Sequence, residues 1–325
     1  MLLPARDAEE TVGAAVRSVL DQTEGDFELI ALDDGSVDGT RAVLSSFSDS
    51  RVQVVDAGGK GLVHGLNLAL GLARGELVAR MDADDLSHPE RFAEQVRALA
   101  AHSDWAGVGT QVEVFREDRP VSPNLAGYAQ WLSSLVTPEL VFRDRLVESP
   151  LCHPSMMLRR SALEAIGGWN DGPFPEDWEL WLRLLESGQR LSVVPRVLHR
   201  WRDHDRRLTR TDARYALERH LDLKARFLLA RFGGVELTIW GAGEVGLALM
   251  RRLRAGGARV VRLVDVSPRK VGQKIEGVPV IAPAELGEPR EHLIAAVGAK
   301  GARAEIRAFL EKAGWVEGEQ FTCVA

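Results

Sequence analysis

Apolar positions along the first half of the chain follow two alternating rhythms. Between residues 8 and 21, Val12, Ala15, Val16, Val19 and Leu20 recur at helical spacing. "FELIALDDG" is then a short apolar run closed by acids and a turn, and residues 39–47 read as helix. "RVQVVDAGG" is a strand with a glycine exit, residues 62–73 read as helix, and Leu77–Met81 of "ELVARMDADD" form the next strand. Strands that alternate with helices predict an α/β fold with a mainly parallel sheet covered on both faces. Ligands of such sheets bind beyond the carboxyl ends of the strands. Asp33, Asp34, Asp82, Asp84 and Asp85 all fall at such ends. The first strand, Met1–Pro4, is shorter than the usual five or six residues, so the natural start is expected upstream.

The rhythm changes farther along. Residues 116–150, with Pro120, Pro123 and Pro138, read as less regular, and "SALEAIGGW" and "EDWELWLRLLESG" as two helices. The second carries Trp178, Trp181, Leu182 and Leu185 as a stripe that must pack on a core, and Gly188 suits its C-terminal cap. Residues 196–231 are Arg-rich and expected to be helical from Asp212. From Gly234 a second pattern starts, strand, Gly-rich turn, helix and strand. The expected division is 1–215, a helical linker 216–233, and 234–325 as a small half-Rossmann domain.

Composition narrows the function classes. With 325 residues, 45% hydrophobic and 27% charged, the chain is long enough for two globular domains. A net charge of −6 argues against a nucleic-acid binder. Two cysteines, Cys152 and Cys323, imply no disulfide framework and fit a reducing, cytoplasmic setting. No run of 18 apolar residues and no signal-peptide pattern occurs.

Taken singly, the acidic motifs have two readings. In "IALDDGSVDGT", Gly35 and a capping Ser36 or Asp38 make an ordinary strand-turn-helix, or Asp33 or Asp34 accepts from a base N–H or a ribose hydroxyl. "MDADD" crowds three like charges into four positions. Either water screens them, or they hold a hard cation such as Mg²⁺ or Mn²⁺ that shares its shell with substrate phosphates. Glu176 and Asp177 suit the positive end of a helix dipole, or one of them is a general base.

The order "DDGSVDGT", "GLNLAL", "MDADD", "HPSMMLRR", "GGW", "EDWELWLRL" resembles the family 2 glycosyltransferases of the GT-A fold, over roughly residues 1–210. The resemblance implies an inverting, metal-dependent, hexosyltransferase-type enzyme that uses a nucleotide-sugar donor and a saccharide or lipid-linked acceptor in cell-surface polysaccharide or glycolipid synthesis. It implies that Pro4, Ala5 and Arg6 line the nucleotide pocket. It places Asp34, with Asp33 beside it, on the base. Asp82 and Asp84 correspond to the DxD acids on ribose and metal, with Asp85 adjoining them. Asp177 corresponds to the catalytic base, Glu176 to its partner, and His153 lies in "HPS" on the acceptor side. "HRWRDHDRRLTR" resembles the family's closing segment over the diphosphate. There His204 is a candidate metal or phosphate ligand, although Trp201 and Leu208 stand where Tyr and Ser are common. Eight arginines lie between Arg196 and Arg219. They read as a solvated face, as diphosphate-neutralising groups (Arg202 or Arg206), or as a peripheral contact with anionic lipid at the inner face of the cell membrane.

In the second domain Gly241, Gly243 and Gly246 form an intact GxGxxG after a strand and before a helix, and Asp265 ends the next strand. A dinucleotide or a nucleotide-sugar is the expected ligand, and a docking or homo-oligomerisation module without ligand is the alternative. Two rival functions remain at this level, a sugar nucleotidyltransferase and a non-enzymatic nucleotide-sugar sensor. The first would want a Gly-rich basic signature where "PARDAEETVG" stands. The second is expected to have lost the acids of the cleft.

Overall fold

Short strands and the helices between them make up a first unit, in a computed structural model that describes all 325 residues. In chain order the elements are β1 (Leu2–Ala5), α1 (Val12–Leu20), β2 (Leu29–Asp33), α2 (Thr40–Ser45), β3 (Val52–Asp56), α3 (Leu62–Leu72), β4 (Leu77–Ala79), β5 (Leu86–Ser87), α4 (Arg91–Ala101) and β6 (Trp105–Phe115). They continue with α5 (Pro123–Ser134), α6 (Pro138–Asp144), β7 (Met157–Arg159), α7 (Arg160–Ala165), α8 (Glu176–Glu186), β8 (Arg190–Arg202) and α9 (Leu208–Thr211). The unit comprises residues 1–142, 149–172 and 176–211.

Strands β1, β2 and β3 pair in parallel, in the order β1-β2-β3. A parallel bridge between Leu2 and Arg80 joins β1 to the end of β4. Beyond it β7 runs antiparallel to both β4 and β6, β8 runs parallel to β6, and β5 closes the edge antiparallel to β8. Pleat alternation sends residues to two separate cores. Leu2, Ile30, Leu32 and Val78 pack with Leu66 and Leu70 of α3 and with Leu180, Trp181, Leu184 and Leu185 of α8. Leu3, Leu29, Ala31, Ala79 and Met81 pack with Val12, Val16 and Val19 of α1 and with Phe92 and Leu99 of α4.

The region read as less regular holds two helices. Pro123 and Pro138 are their first residues, where a missing N–H is harmless and a fixed φ favours helix. Ser122 caps α5 by accepting from the Leu125 N–H at 3.3 Å. The Arg-rich stretch opens as strand, because β8 runs to Arg202 beside β6.

The second unit comprises residues 143–148, 173–175 and 212–325. Segment 216–233 is helix α10 (Leu217–Phe232) and belongs to this unit. There follow β9 (Glu236–Trp240), α11 (Glu244–Ala255), β10 (Arg259–Val264), β11 (Lys274–Ile275), β12 (Val278–Ile281), β13 (His292–Ala295), α12 (Ala302–Lys312) and β14 (Phe321–Cys323). The sheet order is β11-β12-β10-β9-β13-β14, parallel apart from β11. The buried Lys224 of α10 donates to the Val147 carbonyl at 3.0 Å and the Val324 carbonyl at 2.6 Å. Burial pushes its ammonium down to about 8. Those carbonyls accept from a cation that burial has removed from water.

Candidate active site

At the carboxyl ends of β1 and β2, Ala5 stands opposite Asp33, and the Asp34 N–H donates to the Ala5 carbonyl at 2.9 Å. Pro4, Ala5 and Arg6 are thereby set beside the two acids. Asp34 is buried, and both its oxygens accept from the Gly61 N–H at 3.1 Å, with the Arg6 guanidinium 3.8 Å away. Asp33 turns to its own loop, accepting from the Ser36 N–H at 3.1 Å. The loops after β1 and β2 are tied together, since Asp7 accepts from the Val37 N–H at 2.9 Å and Thr40 Oγ1 from the Ala8 N–H at 2.7 Å.

The "MDADD" loop brings Asp82, Asp84 and Asp85 together, one oxygen of each within 4.8 Å of the others. Their surroundings separate them. Asp82 receives both ends of the Arg80 guanidinium, at 2.9 and 2.5 Å. Burial raises its carboxyl above the ordinary value, opposed next by Arg80 and reinforced by Asp84. Asp84 is partly open and bonds His204 Nε2 at 2.7 Å. Asp85 is 1% exposed, and both its oxygens are engaged, by His199 Nε2 at 2.9 Å and by the Arg202 N–H at 2.8 Å. Burial, and after it the Asp84 and Asp82 carboxylates, push Asp85 well above the usual range. Burial also holds His199 well below the ordinary imidazole value. Asp85 therefore ties the acidic loop to the end of β8, while Asp82 and Asp84 present oxygens outward. Hard carboxylate oxygens with one imidazole beside them suit a divalent cation that keeps positions for phosphate oxygens.

The other side of the site starts at α8. Glu176 is buried, and Asp177 is half-buried in the first turn, where its Oδ2 accepts from the Ser149 hydroxyl at 3.2 Å. Burial, then the neighbouring Glu176 charge, raise the Asp177 carboxyl to about 7. A carboxylate poised there is matched to proton transfer near neutral pH. His153 is 5% exposed and accepts at Nε2 from the Trp169 indole N–H at 3.1 Å. Burial, with Arg80 acting in the same direction, keeps it neutral. Trp169 is itself held by Asn67 of "GLNLAL", which donates to its carbonyl at 2.8 Å and accepts from its N–H at 2.9 Å. Gly168 has φ +72°, and a Cβ there would lie 2.4 Å from Asn67 Oδ1, so "GGW" needs glycine. Three of the sequence motifs, "HPS", "GGW" and "GLNLAL", thus share one network.

The closing segment after β8 is strongly cross-linked. Arg202 donates to the Asp84 carbonyl at 2.7 Å, pairs with Glu117 at 2.6 Å and stacks over Phe115. The buried Asp203 pairs with Arg116, Arg207 and Arg210. Of the eight arginines between 196 and 219, seven have an acidic partner, and Arg206 is exposed without one. No helix is long and apolar enough to cross a membrane.

In the second unit Gly241, Gly243 and Gly246 turn from β9 into α11. A Cβ on Gly246 would lie 1.9 Å from the Gly241 carbonyl, so this glycine serves close helix–strand packing. Gly243 faces open space. Asp265 accepts from the N–H groups of Ala242 at 3.0 Å and Ser267 at 2.9 Å and pairs with Lys270 at 3.0 Å.

Sequence reading missed Arg80, Ser149 and His199. Arg80 carried a signal, as a charge inside an apolar strand requires a buried partner. His199 and Ser149 carried none, for their partners are 114 and 28 residues away.

The family model for glycosyl transferase family 2 matches residues 1–167. The putative glycosyltransferase EpsE of Bacillus subtilis is 31% identical over 219 residues, 65% of this chain and 75% of that protein. The Escherichia coli protein WfgD, a UDP-Glc:alpha-D-GlcNAc-diphosphoundecaprenol beta-1,3-glucosyltransferase, is 39% identical over 100 residues, 30% of this chain and 40% of its own. Among solved structures, Staphylococcus aureus TarS 1–349 with UDP-GlcNAc superposes with a TM-score of 0.56 at 18% identity, over 70% of this chain and 65% of that one. The Pyrobaculum calidifontis mannosyltransferase PcManGT with GDP-Man and Mn²⁺ superposes at 0.54 with 19% identity, over 79% and 68%. Both likenesses are of fold, and the fold is GT-A.

Proposed function

Because the chain belongs to glycosyl transferase family 2, we propose that it is an inverting, metal-dependent enzyme of hexosyltransferase type. It moves a sugar from a nucleoside-diphosphate sugar to a hydroxyl of a saccharide or lipid-linked acceptor, in the synthesis of a polysaccharide or glycolipid. The observation that carries the reading is the separation of the acids into two groups. Asp82 and Asp84 present oxygens at the ends of the strands, and Asp177 stands apart as one half-buried base held at about 7.

The nucleotide base lies against Asp34, with Arg6 and the β1 end beside it. Asp82 and Asp84, with His204 alongside, would hold Mg²⁺ or Mn²⁺, which when bound neutralises charge on the leaving diphosphate. Asp177 accepts the proton of the acceptor hydroxyl as its oxygen bonds to the anomeric carbon. The bond to the diphosphate breaks, and the diphosphate leaves with the electron pair. One displacement with one base inverts the centre and needs no covalent intermediate. His153, neutral and buried behind Trp169, shapes the acceptor side and exchanges no proton.

A donor screen tests the reading. Full-length protein with UDP- and GDP-sugars is expected to release nucleoside diphosphate from at least one donor with Mn²⁺ or Mg²⁺, to stop in EDTA, and to recover on adding metal. Binding of a donor with no release under any condition would favour the sensor reading instead.

For the second unit the open face at Gly243 favours a bound phosphate compound, a dinucleotide or a nucleotide-sugar. Segments 143–148 and 173–175 belong to this unit, so the full chain is the object to test. NAD or a nucleotide-sugar should raise the melting temperature of the wild-type chain but not of Gly243→Val. No shift with any of these ligands would favour a docking module.

A further inference from the structure

Arg80 lies beneath the acidic loop, and its surroundings reach both halves of the site. Strand alternation puts Val78, Arg80 and Asp82 on one face and Ala79 and Met81 on the other. Val78 packs into the core that includes α8, and Ala79 and Met81 into the opposite one. The Arg80 side chain therefore runs along the sheet on the face covered by α8. Its backbone cannot drift, because its N–H donates to the Met156 carbonyl at 3.0 Å and its carbonyl accepts from Arg91 at 2.8 Å.

The residue is 4% exposed, and its guanidinium grips Asp82 through both terminal nitrogens. Asp82, Glu176 and Asp85 are the carboxylates whose charges act on this buried guanidinium. The same cation acts on Asp177, whose surroundings also include the Glu176 charge and the Ser149 hydroxyl. His153, packed edge-on against Trp181 of α8, contributes no charge because it is neutral. A buried cation surrounded by carboxylates is costly to remove, since each acid is then left with uncompensated charge.

We propose that Arg80 is a positioning residue shared by the two halves of the reaction. It locks the Asp82 carboxylate for the donor diphosphate and its metal, and it supplies the counter-charge for the acidic start of α8, Glu176 and Asp177. Donor site and base are then built on one buried cation. The inference rests on the proposed roles of Asp82 and Asp177.

The test uses full-length Arg80→Lys and Arg80→Gln, with Mn²⁺ binding followed by electron paramagnetic resonance and the pH dependence of donor hydrolysis. Lysine keeps the charge and loses the two-pronged grip, whereas glutamine loses both. Mn²⁺ affinity should fall by about 10–100-fold in both variants, as for other groups that orient a metal ligand. The pH midpoint of hydrolysis should rise in Arg80→Gln and stay near wild type in Arg80→Lys. If Arg80→Gln does not fold, the Lys variant carries the test, with weakened Mn²⁺ binding at an unmoved midpoint as the supporting result. Unchanged Mn²⁺ affinity in the folded variants, or equal midpoint shifts in both, overturns the inference. Failure of the wild-type protein itself to bind Mn²⁺ or to cleave any donor would instead overturn the proposed function.

Discussion

Asp177→Asn is expected to lower turnover by about 10²–10⁴-fold, the usual contribution of a positioned general base, and to leave donor affinity unchanged. Asparagine preserves shape, and its amide oxygen can still accept from the Ser149 hydroxyl that meets Asp177 at 3.2 Å. What disappears is the group proposed to take the acceptor proton. Wild-type kcat/KM should carry the signature of that group. Below about 7 the carboxyl is protonated in the free enzyme, so kcat/KM should rise with pH and level off above that value. The residual rate of the variant should show no such rise. Stability should change in the opposite sense to activity. A carboxyl raised in the folded state from an ordinary value near 4 to about 7 binds its proton more tightly when folded. It therefore favours folding most at low pH, and that contribution is lost as pH rises through this window. At pH 8, Asp177→Asn should accordingly melt no lower than wild type, and higher if Glu176 repulsion dominates. Steady-state kinetics across pH with nucleotide titration checks the first part. A near-normal rate would remove Asp177 from the base role.

The second large effect separates two adjacent acids. Asp84→Ala should keep the fold, abolish Mn²⁺ binding and cut turnover by on the order of 10³-fold, the scale of several kcal/mol of charge stabilisation. Asp84 is partly open, and its Oδ2 bonds His204, itself partly exposed, so little is orphaned when it goes. Asp85→Ala should act first on stability. It leaves His199 Nε2 without its partner and the Arg202 N–H without its acceptor in a buried site, at about 1–3 kcal/mol for each unsatisfied group. Its activity loss should follow from loosening of the segment that carries His204. Thermal melts beside Mn²⁺ titrations distinguish the two. Equal melting temperatures with equal loss of Mn²⁺ would mean that both acids are ligands and that the His199 contact is secondary.

Much of the first unit was legible because its signals are local. Helical spacing in α1 and α3, and apolar runs ending in acids at β2 and β4, need only neighbouring residues to be read. The strand-end placement of Asp33, Asp34 and Asp82 to Asp85 followed from the same runs. Helices α5 and α6 were lost to their prolines, which mark helix starts as readily as breaks. The long pair β6 and β8 was lost because its partners are about 85 residues apart in sequence, and pairing at that range has no local mark.

By itself the sequence determined the family, the α/β alternation and the identity of the acids, since these depend on residue type, order and spacing along the chain. The tertiary structure decided what surrounds each acid. Asp84 and Asp85 are chemically the same and adjacent, and only the return of β8 buries one against His199 and leaves the other facing outward. Asp177 resembles any helix-start acid until burial and Glu176 raise it to about 7. Arg80 is an odd charge in a strand until folding sets it among Asp82, Glu176 and Asp85. Desolvation and Coulomb interaction depend on distance and burial, and residues remote in sequence supply both.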